Sequence, residues 1–194
     1  MEFDESALIS KTSEAFDFWF SDVGQYGELK HNHGYNSKGY FLFTHILPKL
    51  AIPSNGHVMQ MGSNFCVSFD ILYRMFGDRA IGVDLWNPLE HPKVIEKNIY
   101  DLHDINLSFC HIDAGDFKWT PNLRLYSIHY ALRNTLKGGI IITAGGNYVN
   151  ECLQVNLNEM FLKNDYTIKS CKDYTDKTVL DEIGVQHEII AIKN

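Results

Sequence analysis

The chain has 194 residues, 45% of them hydrophobic and 21% charged, which fits one soluble globular domain with a core of its own. Its formal net charge of -7 argues against a nucleic-acid backbone or an anionic membrane as the main partner. Cys66, Cys110, Cys152 and Cys171 form no CxxC or similar pair, as expected of free thiols in a reducing compartment.

Residues Met1 to Ser6 are acidic where a secretory signal would be basic, and no apolar h-region follows. The longest apolar runs, near Tyr40 to Leu47 and Ile140 to Ile142, are too short to span a bilayer. The expectation is a cytoplasmic protein without a membrane partner. Ser6 to Phe20 carries Leu8, Ala15, Phe16, Trp19 and Phe20 at helical spacing. Ser21 to Asn36, with Gly24, Gly27 and Gly34 among polar residues, reads as a loop. Ser37 caps a second predicted helix that Pro48 disrupts.

After the turn Pro53-Ser54-Asn55-Gly56, His57 to Met61 reads as the first core strand. Asn64 to Met75 is a predicted helix with Phe65, Phe69, Leu72 and Phe76 on one face, stopped by Gly77-Asp78. Further strands are predicted over Ala80 to Leu85, Val94 to Ile99, Ile105 to Ile112 and Ile140 to Ala144. Helices are predicted over Leu123 to Leu136, closed by Gly138-Gly139, and over Asn150 to Lys163. Tyr166 to Lys172 and Glu188 to Lys193 read as strands with no strong helical pattern between them. A parallel neighbour needs a crossover of a dozen or more residues, so these two form an antiparallel hairpin at the sheet edge. The whole is an α/β fold, Rossmann-like and doubly wound. Its mostly parallel sheet has about seven strands and ends in that hairpin. Residues 1–194 form one domain, with 1–50 as a helical lead-in or lid and 57–194 as the core.

In such sheets a ligand sits beyond the carboxyl ends of the strands. The turn Gln60-Met61-Gly62-Ser63-Asn64-Phe65 is the first candidate. Gly62 lets backbone pass close to a ligand, and Ser63 or Asn64 caps the helix. A turn built only for packing looks the same. With one glycine where GxGxxG has three, a pyrophosphate fits poorly. The second strand ends in Ile81-Gly82-Val83-Asp84. A carboxylate there either takes both hydroxyls of a ribose or caps the strand end.

On these residues the run from His57 to Ala144 resembles the class I S-adenosylmethionine-dependent methyltransferases, especially compact small-molecule O-methyltransferase-like members. Val58-Met59-Gln60-Met61-Gly62-Ser63 stands at the first motif and Gly82-Val83-Asp84 at the ribose-binding second. Ile95 to Leu102 resembles the third, with Asn98 where an adenine-contacting Asp usually sits. Leu107 to Asp113 is similar to the fourth, whose terminal acid faces the reacting centre. Leu136 to Ile142 matches the turn into the fifth strand, and the terminal hairpin is a family hallmark. Two departures stand out: Gln60 replaces an acidic residue, and the second and third glycines of the first motif are absent.

The resemblance implies S-adenosyl-L-methionine as cofactor and a small-molecule substrate, and it leaves a homodimer open. It carries cofactor binding to Gln60, Gly62, Ser63, Asn64, Asp84, Leu85, Asn98 and Asp113. Asp113 and His111 are the candidate catalytic groups. Asp113 and Asp116 read either as a carboxylate pair for acceptor deprotonation or as loop-solvating acids. His111 reads as a base sharing the strand face of Asp113 or as a satisfied core histidine. Metal-dependent relatives place an Asp-Asn pair after the fifth strand. Here only Asn147 corresponds, so no catalytic metal is expected. His31 and His33 are too few for a metal site and, with Tyr26 and Tyr35, read as a lid. Phe16, Trp19, Phe20, Tyr40 and Phe41 read as core. Trp86-Asn87-Pro88 either flanks an adenosine or turns the chain. Two other functions compete with methyl transfer: a nicotinamide-dependent oxidoreductase and a non-catalytic binding protein on the same fold.

Overall fold

The computed structural model describes residues 46–63, 67–85, 87, 91–174 and 188–194. The lead-in helices, the lid residues and the N-terminal aromatic positions lie outside them. So do Asn64, Phe65, Cys66, Trp86 and Pro88. Of the predicted second helix, the described end is a 3-10 turn, Leu47–Lys49, with Pro48 in its first turn.

Seven strands form one sheet: β1 (His57–Met61), β2 (Ala80–Asp84), β3 (Val94–Glu96), β4 (Leu107–Ile112), β5 (Thr135–Ala144), β6 (Tyr166–Ser170) and β7 (Glu188–Lys193). Their order is β3-β2-β1-β4-β5-β7-β6. The first five are parallel, while β7 runs antiparallel to both β5 and β6. The mostly parallel sheet with an antiparallel end is as the sequence predicts.

Each central strand is apolar on both faces because helices cover both. Val58, Phe109, Ile140, Ile142 and Ile190 pack with Ile71 and Leu72 of α1 (Val67–Phe76) and with Ile46, Leu47 and Leu50. Met59, Met61, Cys110, Ile112, Ile141, Ile189 and Ala191 face the other layer. That layer is α2 (Pro121–Asn134), α3 (Asn147–Leu153) and α4 (Leu157–Lys163). Strand order reverses between β1 and β4, and loops diverge at their carboxyl ends.

Several boundaries differ from the sequence reading: the third strand stops at Glu96, Ile99 instead opening a 3-10 turn that Asn98 caps, the fourth starts at Leu107 and the sixth stops at Ser170. Two differences are larger. Helix α2 ends at Asn134, before Gly138-Gly139, because Thr135 already pairs with Leu107 of β4. Ile140 next pairs with Phe109, so residues 136–139 bulge, and Gly138 takes the positive φ of 74° that the bulge requires. The single helix expected over Asn150 to Lys163 is two. Gln154 turns left-handed at φ 55°, and the Asn156 side chain caps α4 by accepting from Glu159 N at 3.2 Å.

Candidate functional site

At the switch point the ends of β1, β2 and β4 and the segment after β3 enclose a crevice of about 250 Å³. Its lining includes Gly62, Asp84, Leu85, Asn98 and Asp113, five positions named from the sequence, together with Lys97, Ile99, Ala114, Gly115 and Leu123.

Gly62 has a φ of 83°, and a Cβ on it would lie 2.5 Å from Ala114 N. No other residue fits there, since both the backbone angle and the space exclude a side chain. The β1 turn is thus pressed against the turn after β4, and Asp113 N also donates to Met61 O at 2.8 Å.

Asp84 is partly exposed at the end of β2, and Leu85 beside it is 59% exposed. Asn98 caps the 3-10 turn Ile99–Asp101, its Oδ1 accepting from Tyr100 N at 3.2 Å. Ile99 is buried beneath, and Tyr100 stacks at a tilt on Tyr126 of α2, ring centroids 4.3 Å apart. Asp113 stands exposed just past β4, its Oδ1 3.7 Å from Arg124 Nη2.

Other candidates lie elsewhere. Gln60 and Ser63 are fully buried and outside the lining. The Gln60 amide donates to Gly62 O at 3.4 Å, and Ser63 Oγ packs toward Gly82, where a Cβ would approach it to 2.7 Å. Strand β4 ends at Ile112, so the alternation that would align His111 with Asp113 stops there. His111 stands instead in a row with Gln60 and Ile142, and Ile142 belongs to the α1 layer. Burial holds the His111 pKa below 6.5, with Asp113 opposing and Arg124 adding a smaller push downward.

Asp116 is not paired with Asp113: its Oδ1 accepts from Lys118 N and Trp119 N, both at 2.8 Å, closing a local turn. Asn87 turns the chain through two bonds to the His91 backbone, at 3.1 and 2.9 Å. Asn147 is exposed at the start of α3. Among the described residues, no three His, Cys, Asp or Glu side chains gather where a metal ion could sit, and no helix is long and apolar enough to cross a membrane. Cys110, Cys152 and Cys171 are free thiols, and burial pushes Cys171 up to about 12.

No protein-family model and no curated protein matches the sequence. Solved structures do match. Human N-acetylserotonin methyltransferase, solved in complex with SAM, is 12% identical with a TM-score of 0.51; the match covers 93% of this chain and 59% of that one. The plantazolicin methyltransferase BpumL, solved with a monoazolic desmethylPZN analogue and SAH, is 13% identical with a TM-score of 0.45, and 98% of each chain is covered. CrArsM, the arsenic(III) S-adenosylmethionine methyltransferase of Chlamydomonas reinhardtii, is 13% identical with a TM-score of 0.45, covering 92% of this chain and 72% of its own. The chain spans little more than half of the human enzyme. At that identity the likeness is one of fold: this is the class I S-adenosylmethionine-dependent methyltransferase fold.

Proposed function

We propose that the crevice binds S-adenosyl-L-methionine and that the chain transfers its methyl group to a small-molecule acceptor. The observation that carries this reading is the convergence of Asp84, Asn98 and Asp113 on one crevice, each from the end of a different strand or the loop after it. The donor set suits the cofactor. Asp84 accepts two ribose hydroxyls at once, and Leu85, Ile99 and Leu123 offer apolar contact to a purine. Asn98, its oxygen engaged by Tyr100 N, presents its amide to the purine edge. Gly62 leaves the floor between β1 and β4 free of a side chain.

Bound there, the cofactor supplies an electrophilic methyl group. Transfer then needs a nucleophile held in line and partly desolvated. Asp113, at the β4 side of the mouth, orients the acceptor or takes its proton. His111 lies outside the lining and takes no part in this reading. The net charge of -7 favours a small acceptor over a nucleic acid. The domain reading goes with it: one unit, its core over 57–194. A second reading, ligand binding without transfer, is favoured by one observation. Gln60 stands where the resembled family carries an acid, and it is buried, with its amide turned to Gly62 O.

Titration calorimetry with S-adenosylmethionine, S-adenosylhomocysteine and NAD, run side by side, tests the proposal. The two adenosyl ligands bind and raise the melting temperature, as ligands selective for the native state must. Failure of the adenosyl ligands to bind would overturn it, and binding of NAD in their place would favour a nicotinamide-dependent reading.

A further inference from the structure

Helix α2 carries two arginines that serve opposite poles of the sheet. Arg133, in its last turn, is exposed and donates to Asp104 Oδ1 at 2.8 and 3.1 Å. A cation there agrees with the helix dipole. Arg124, near the other end, opposes the dipole and is only 5% exposed, so its position is costly twice over.

What offsets that cost is one turn of chain. Arg124 Nε donates to Gly115 O at 2.8 Å and Nη1 donates to Ile112 O, while Nη2 faces Asp113 Oδ1 at 3.7 Å. Asp113, Ala114 and Gly115 of this turn are a wall of the crevice. From the other side the wall is pressed by Gly62, and Gly115 itself (φ 75°) sits so close to α2 that a Cβ would lie 2.8 Å from Arg124 N. The wall is therefore clamped between the β1 turn and a buried guanidinium. Burial lowers the Arg124 pKa, and the carboxylates of Asp113, Glu188 and Asp116 oppose that shift.

We propose that Arg124 is a positioning residue of the crevice: it fixes the turn over residues 112–115 and aims the Asp113 carboxylate at the mouth, so a side chain outside the lining sets the affinity for the adenosyl ligand. The inference rests on the adenosyl reading of the crevice. It goes beyond that reading in assigning ligand affinity to a group that touches no ligand.

The experiment has two readouts on the full chain: calorimetric titration with S-adenosylhomocysteine, and hydrogen exchange of residues 112–116 without ligand. Arg124→Met weakens the ligand by at least about tenfold, the scale of one lost charge-assisted hydrogen bond. It also speeds exchange in that turn about tenfold, while the β1 amides stay protected. Arg124→Lys keeps the charge but not the fork of donors, and recovers part of both losses. Arg133→Met, on the same helix, changes the affinity by less than about twofold, which separates positioning from general weakening of α2. Unchanged affinity or unchanged exchange in Arg124→Met overturns the proposal. Should that variant not fold, Arg124→Lys carries both readouts, and wild-type values in it overturn the proposal equally. A wild-type chain that does not bind S-adenosylhomocysteine sinks the adenosyl reading. In that case exchange alone decides whether Arg124 holds the turn.

Discussion

The two poles of the sheet are both stapled by a buried or half-buried arginine, yet they present opposite surfaces. At the amino pole Arg79 donates to Gly56 O, Pro53 O and Ser108 Oγ at 2.9, 2.6 and 2.8 Å. Asp104 is taken by Arg133 and Asn134, and Asp78 by Lys93. The depression there is the larger, about 600 Å³, but its lining side chains Asp78, Arg79, Asp104 and Asn134 are each already engaged by neighbouring groups. At the carboxyl pole the crevice is smaller, yet Asp84, Lys97, Asn98 and Asp113 all line it. Volume alone would choose the amino pole, the opposite end from the proposed site. What marks a site is polar groups brought together by separate strand ends, which parallel strands provide only where their connections diverge.

Glycine substitutions should expose this difference most strongly. Gly62→Ala meets both a positive φ and backbone 2.5 Å away, and should cost about 4 kcal/mol of stability and abolish ligand binding. Gly138→Ala at the amino pole meets only the strain, its nearest contact being Pro53 Cγ at 3.6 Å, and should cost about 1 kcal/mol with affinity intact. Urea denaturation and calorimetry on the pair check both. Equal costs would mean that the β1 and β4 turns are not pressed together.

Arg79→Met should come next. Losing three bonds from a charged donor lowers stability by about 3 kcal/mol. The affinity for S-adenosylhomocysteine should not move, because every Arg79 bond lies at the far pole. A loss of affinity beyond about threefold would show that the poles are coupled through β1 and β4.

Asp84→Ala reverses that pattern. Affinity falls by about 1.5–3 kcal/mol, the range for hydrogen bonds to a charged group. The melting temperature of the free chain hardly shifts, since Asp84 sits at an open crevice. Asp104→Ala, its counterpart at the amino pole, should leave affinity at the wild-type value. A normal Kd in Asp84→Ala would leave the carboxylate a strand-end role only.

What could be read from the chain itself follows the same division. Asp84 is legible because a short apolar run ends in a polar residue there, Asn98 and Asp113 through the family resemblance of the segments that carry them, and the hairpin because no strong helical pattern separates the last two strands. The helix over 150–163 was misread for a physical reason: Val149, Leu153, Leu157 and Phe161 recur every four residues and all are buried, so the apolar stripe runs across the break. Only Asn156, a good N-cap, signalled it. Arg124 gave no signal. An arginine near the start of an amphipathic helix reads as solvated, and only the fold brings residues 112–115 onto it. Lys97, in the loop after β3, was equally silent.

The smallest effect expected is a pH dependence of stability from His111. Its imidazole lies in the row with Gln60 and Ile142, with Nδ1 buried, and burial holds its pKa below the ordinary 6.5. In the unfolded chain the group takes up a proton near its ordinary value, whereas in the folded chain it does so only at lower pH. The unfolded state therefore binds more protons in the window just below 6.5, and stability rises with pH there. The full stability is present above that value and is lost as pH falls, by at most about 1.4 kcal/mol per unit from this one group. Urea denaturation of wild type and His111→Gln at about pH 7.5 and about pH 5.5 isolates it, since the other histidines contribute alike to both. The wild type should lose more stability than the variant over that interval. Equal losses would mean that the imidazole protonates in the folded chain as freely as in the unfolded one. The row of Gln60, His111 and Ile142 would then be open to water.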